Sequence, residues 1–217
     1  MSWSSGKDSA WALHQLRQDP DIDLAGLFCT VNSAFDRVAM HGVRVELLQK
    51  QAESIGLPLE IIEIPDSCSN AEYEEIMGRF VERAIRHDIG FFAFGDLFLE
   101  DVRNYREEKL RNSGIKALFP IWGIPTDELS REMITGGLRT VITCINPDQM
   151  PKEFVGREFD QSFLDSLPEA VDPCGEHGEF HSFVFDGPMF ARPIDIMLGE
   201  TIQRGDFVFA DVLLKAP

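Results

Sequence analysis

Two stretches of this chain concentrate the side chains that can do chemistry. The first is Ser4-Ser5-Gly6-Lys7-Asp8-Ser9, placed directly before the apolar run Ala10-Trp11-Ala12-Leu13. It has neither the GxxxxGK(S/T) spacing of a Walker loop nor the GxGxxG of a dinucleotide fold. Its residue types still suit an anion: Gly6 permits a positive φ, and the N–H groups of the following helix start converge on negative charge. Lys7 adds a full positive charge. Ser4, Ser5 and Ser9 add hydroxyls, and Asp8 can hold magnesium or cap the helix. The plain alternative is a serine-rich helix cap beside a surface lysine.

The second stretch is Asp172-Pro173-Cys174-Gly175-Glu176-His177-Gly178-Glu179-Phe180-His181. Carboxylates, imidazoles and glycines this dense suit acid–base work near neutral pH. The spacing of Cys174, His177 and His181 also suits zinc, although no second Cys/His pair lies nearby to complete a site. A solvated turn is the third reading, and the residues alone leave all three open.

The elements that must position these residues follow from periodicity. Strands are expected at Leu24 to Val31, Leu59 to Ile64, Ile89 to Phe94 and Lys116 to Phe119. Helices are expected at Gly42 to Ile55, at Asn70 to His87 with Asn70 as N-cap, and at Glu100 to Asn112. This alternation implies βαβ units and a doubly wound parallel α/β sheet over residues 1–123. From about residue 124 to 217 the texture becomes that of a smaller α+β domain. A helix at Asp127 to Gly136 is followed by β-like runs at Leu138 to Ile145, Phe180 to Phe185 and Phe207 to Leu214, with a short helix at Gln161 to Leu167 between them. In doubly wound folds ligands bind beyond the carboxyl ends of the strands. Gly95-Asp96 lies at such an end, suited to ligand or magnesium contacts, and Thr30 and Val31 end the strand where an adenine would lie. His41 is placed to close over a nucleotide, although a histidine at a helix start is equally ordinary. Arg106 and Glu108 sit on the next helix, where such residues are ordinarily just solvated.

Composition narrows the classes further. The chain has 217 residues, 44% of them hydrophobic, which is ample for a core. Its 37 acidic and 20 basic residues give a net charge of −17, a field that repels phosphate backbones and argues against general nucleic-acid binding. No stretch approaches the roughly 20 apolar residues that span a bilayer, and Lys7 and Asp8 interrupt any signal peptide. A cytoplasmic protein is expected. The 4 cysteines (Cys29, Cys68, Cys144, Cys174) contain no CxxC and read as reduced thiols.

Ser-x-Gly-Lys-Asp-Ser opening an α/β domain resembles the PP-loop ATP pyrophosphatases, whose nucleotide-binding domain is a Rossmann-like adenine nucleotide alpha hydrolase fold. Further stretches resemble the diphthine–ammonia ligase group within it. These are Asp36-Arg37-Val38-Ala39-Met40-His41-Gly42, Phe94-Gly95-Asp96, Arg106-x-Glu108, Phe119-Pro120-Ile121-Trp122 and Gly175 to His181. The resemblance implies that ATP with magnesium adenylates an acceptor carboxylate, and that ammonia then converts the adenylate to an amide with release of AMP. It moves Arg106, Glu108, Gly175, Glu176, Gly178, Glu179 and His181 to the acceptor side, with Glu179 positioning ammonia and taking its proton. Lys7, Glu179 and His181 are the expected catalytic residues. The chain departs from the family at Ser5, where the loop usually carries glycine; a left-handed serine costs on the order of 1 kcal/mol. Only Met1 to Trp3 precede the loop, so either the start lies upstream or the first strand is stunted. Two rivals share the loop: a tRNA-modifying sulfur transferase, disfavoured by the missing cysteine pair and basic face, and a non-catalytic adenine-nucleotide sensor. The acceptor and oligomeric state are not legible.

Overall fold

A strand shows successive side chains to opposite faces, and one strand here is apolar on both. The computed structural model describes residues 1–33, 37–38 and 42–215. The first elements are α1 (Lys7–Gln18), β1 (Leu27–Asn32), β2 (Arg37–Val38), α2 (Val45–Ile55) and β3 (Leu59–Ile64). They are followed by α3 (Asn70–Arg86), β4 (Phe91–Ala93), α4 (Glu100–Leu110) and β5 (Lys116–Leu118). Within β1, Leu27, Cys29 and Val31 join one apolar cluster with Leu13 of α1 and Leu47 and Leu48 of α2. Phe28 joins another, with Phe80 and Ala84 of α3 and Leu110 of α4. Helices therefore pack against both faces of β1.

β1 pairs in parallel with β3, from Leu27↔Leu59 to Asn32↔Ile64, and β4 with β5, from Phe91↔Lys116 to Ala93↔Leu118. Met1 to Trp3 tie the two pairs together. Trp3 N donates to Phe28 O (2.8 Å), Phe28 N to Met1 O (2.9 Å) and Ser2 N to Ala93 O (2.8 Å). The short strand is thus bonded on both sides. The chain is a mixed α/β fold of parallel strand pairs with a small antiparallel sheet.

That second sheet is built from β6 (Arg139–Ile145), β7 (Phe180–Asp186), β8 (Ile196–Arg204) and β9 (Phe207–Leu214), in the order β7-β6-β9-β8. α5 (Thr126–Thr135) and α6 (Gln161–Asp165) flank it. No seam divides it from the first part: a single cluster runs from Trp3 and Leu13 to Phe159, Phe163, Phe180 and Phe183. Each of these side chains contributes about 1.5–3 kcal/mol by leaving water.

Several boundaries differ from the sequence expectation for local reasons. The second helix starts at Val45 rather than Gly42. Gly42 has φ 66°, and a Cβ there would stand 3.0 Å from the Phe209 ring. The N-cap of α3 is Ser69, not Asn70, and Ser69 and Glu72 form a reciprocal capping box. β8 was not expected, because most of its residues are exposed and no buried face marks it. Among the described residues no helix is long and apolar enough to cross a membrane.

Candidate active site between the N-terminal loop and strand β7

The turn from Trp3 into α1 is made by a serine. Ser5 has φ 71° and is fully buried, whereas Gly6, which permits a positive φ, caps α1 at φ −90°. The strained residue is the one that replaces the family glycine. Holding a non-glycine residue there costs roughly 1–2 kcal/mol and persists only where surroundings over-determine it. They do so here. The Ser5 carbonyl accepts from Val184 N (3.0 Å) and from Gln51 Nε2 (3.0 Å). Its hydroxyl oxygen has no hydrogen-bond partner among the described residues. The other two serines staple the loop: Ser9 Oγ donates to Gly6 O (3.0 Å) and Ser4 Oγ to Ser9 Oγ (3.1 Å).

Beyond the loop lies a cavity of about 270 Å³. Ser4, Lys7, Asp8 and Ser9 line it from the loop and α1, Gly95 and Asp96 from the end of β4, and Arg106 from α4. Gly175, Glu176, Gly178 and His181 line it from the opposite side. Both chemical stretches of the sequence therefore meet on one cavity. Gly95 is required by close approach, since a Cβ would stand 2.8 Å from Asp8 C and Ser9 N.

The charges in this cavity are arranged in opposition. Lys7 Nζ contacts both Asp8 carboxylate oxygens, at 3.0 and 2.9 Å, and lies 5.2 Å from the centre of the Phe180 ring. Burial pulls the Lys7 ammonium down, but Asp8 and Glu176 outweigh it and hold the pKa above the usual lysine value. Burial also raises Asp96, against the pull of Arg106, whose Nε lies 3.4 Å from Asp96 Oδ2. Glu176 is raised to about 7 by burial and by the negative charge of Asp8. A carboxyl group in that range can exchange a proton at neutral pH.

Glu179 must be corrected. Its carboxylate does not face the cavity: it is 2% exposed, accepting from Asp172 N (2.9 Å) through Oε1 and from His177 N (2.9 Å) through Oε2. It shapes the loop that presents Glu176. Asp172 assists, accepting from Cys174 N (2.8 Å) and Thr126 Oγ1 (2.6 Å). Gly175 turns at φ 70° against the Phe180 ring.

The zinc alternative finds no ligand set, because Cys174 Sγ points to Thr126 O (3.4 Å) and no metal-binding group of three or more His, Cys, Asp or Glu converges among the described residues. Asp8, expected to hold magnesium, has both carboxylate oxygens engaged by Lys7. Glu108 is exposed on α4 and does not line the cavity. Thr30 and Val31 also lie away from it, because β1 continues to Asn32. His41 lies outside the described residues. Sequence reasoning missed Gln51 and Ser182, whose Oγ accepts from Lys7 N (3.2 Å). Gln51 had a signal, being a polar residue in phase with the apolar face Leu47, Leu48, Ala52 and Ile55.

The matches to known proteins run through these same segments. Residues 1–117 match the family model described as diphthamide synthase N-terminal domain, and residues 125–213 match the diphthamide synthase C-terminal domain. The chain belongs to the diphthamide synthase family. It is similar to the diphthine–ammonia ligase of Danio rerio, 28% identical over 96% of this chain and 90% of that protein. The Mus musculus and Homo sapiens proteins of the same name are each 24% identical, over 96% of this chain and 86% of theirs. The cavity is lined by residues of both matched segments.

Proposed function

We propose that this protein is an AMP-forming, ATP-dependent ligase that adenylates an acceptor carboxylate and amidates it with ammonia. The observation that carries the reading is the single cavity shared by the Ser4–Ser9 loop and the Gly175–His181 loop. In this reading residues 1–123 form a doubly wound nucleotide domain and residues 124–217 the acceptor side. The helix start and Lys7 bind the nucleotide phosphates, and the resemblance of the Ser4–Ser9 loop to the PP-loop ATP pyrophosphatases supports that role. Magnesium bound to the triphosphate would offset the negative charge of Asp8, Asp96 and Glu176, which line the cavity together with Lys7 and Arg106.

The acceptor carboxylate attacks the α-phosphorus and pyrophosphate leaves along the loop. Ammonia then forms the C–N bond as the bond between the acyl carbon and the AMP oxygen breaks. The attacking nitrogen must shed one proton. Glu176 takes it, since its pKa of about 7 leaves it able to accept and release a proton near neutrality. Glu179 and Asp172 act as positioning residues for Glu176. His181 and Arg106 orient the acceptor, and Ser5 and Gly6 fix the entry of α1.

Sulfur transfer is disfavoured, because burial pushes Cys29 and Cys144 up to about 12 and Cys174, the cysteine that lines the cavity, further still. Phosphorus NMR of the chain with ATP, magnesium, ammonium chloride and diphthine-bearing acceptor, or a panel of carboxylate peptides, tests the reading. AMP and pyrophosphate are expected. ADP and phosphate would refute adenylation, and tight ATP binding without turnover of any acceptor would favour a sensor.

A further inference from the structure

The geometry points to Gln51 as the residue that holds the phosphate loop in its strained form, coupling α2 and β7 to nucleotide binding. Gln51 is fully buried on the apolar face of α2. Its Oε1 accepts from Trp3 Nε1 (2.8 Å), and its Nε2 donates to Ser5 O (3.0 Å) and Val184 O (2.6 Å). One amide thus joins the residue before the loop, the left-handed residue within it, and the strand behind it. Val184 N completes the arrangement by donating to Ser5 O (3.0 Å).

A serine does not adopt φ 71° unaided, and the hydroxyl of Ser5 gains no hydrogen bond there in return. The conformation survives because its carbonyl is clamped from two directions. Releasing one clamp leaves Val184 O and the Trp3 indole N–H buried without their amide partner, a costly state that the backbone relieves by shifting. Shifting Ser5 moves Gly6 and the start of α1, and with them Lys7. Glycine at position 5 would need no such clamp, because it populates positive φ freely. Gln51 is therefore a positioning residue whose importance depends on the serine beside it.

This dependence yields a test that an ordinary core residue would fail. The inference rests on the loop being a nucleotide site, so ATP is the probe, used on the full chain by calorimetry. Gln51→Met should raise the Kd for ATP tenfold or more. In the Ser5→Gly background the same substitution should raise it less than threefold, a non-additive pair. An equal effect in both backgrounds, or none in either, overturns the proposal. So does loss of folding in both. Folding lost in Gln51→Met but restored by Ser5→Gly supports it. If the unaltered protein does not bind ATP, the nucleotide reading fails separately, and a crystal structure of Gln51→Met decides the clamp. Ser5 leaving the left-handed region supports it, and Ser5 keeping φ near 71° overturns it.

Discussion

Replacing Ser5 by glycine should make this protein more stable, although it removes atoms from a fully packed position. Four contributions favour the substitution or oppose it on a comparable scale. Relief of the left-handed serine at φ 71° contributes about 1–2 kcal/mol. Removing a buried hydroxyl with no partner contributes about 1–3 kcal/mol, the cost of leaving such a group desolvated. Against these stand about 0.5–1 kcal/mol of extra backbone entropy for glycine and up to about 1 kcal/mol of lost packing. The balance is about 2 kcal/mol in favour of glycine. For a chain of 217 residues that raises Tm by roughly 4–8 °C. Differential scanning calorimetry, paired with urea unfolding at constant m-value, reads it directly. A Tm equal to or below that of the unaltered protein would show that the Ser5 hydroxyl or its backbone is not strained, and would undo the reasoning. ATP affinity should hold or improve; a weaker one would mean that the hydroxyl contacts the nucleotide.

Other predictions follow from the same cavity. Lys7→Ala should weaken ATP binding or turnover by tenfold or more, on the order of 1.4 kcal/mol, with calorimetry and pyrophosphate release as the measurements. Glu176 has its folded pKa raised from 4.5 to about 7, so its contribution to stability is present below pH 4.5 and is lost as pH rises through about 7. Urea titrations across pH 4–8 should show that decline, and Glu176→Gln should flatten it; an unchanged profile would count against the buried environment described. Glu179→Gln keeps one acceptor for two backbone donors, so it should cost about 1–3 kcal/mol of stability and loosen the loop while leaving ATP affinity near normal. Gly95→Ala forces a Cβ into the first turn of α1 and should cost about 1–3 kcal/mol together with ATP affinity; a variant of full stability and affinity would mean that α1 yields easily.

Much of this site is legible in the sequence, and the reasons are uneven. The serine-rich loop and the Gly175–His181 run could be picked out because chemistry-bearing types are dense there and glycines mark tight backbone. Gly95 and Asp96 followed from the rule that ligands sit at strand ends. What could not be read was which carboxylate faces inward. Glu176 and Glu179 are three residues apart in one motif, and only the hydrogen bonds to Asp172 N and His177 N separate loop former from cavity lining. Which residue of the loop turns left-handed could be stated only conditionally, for Ser5, since glycine's permissiveness at position 6 says nothing about whether it is used. β8 escaped because an exposed strand leaves no period-2 burial to detect. Glu108 shows the opposite error, an exposed helical residue promoted by its neighbours in a motif.

The backing of the loop by β7 also constrains how this sequence can change. Val184 meets Ser5 through main-chain N–H and Gln51 through its main-chain oxygen, so the side chain at 184 is chosen by packing alone. Ser182 meets Lys7 through its hydroxyl, so that position admits only another hydroxyl without loss. An insertion of one residue before β7 would spare every side chain yet turn each of them to the other face. Genetic drift in this strand is therefore free in letters and rigid in count. A chimera joining the first part of one relative to the second part of another should work or fail on the spacing of its splice point more than on sequence identity.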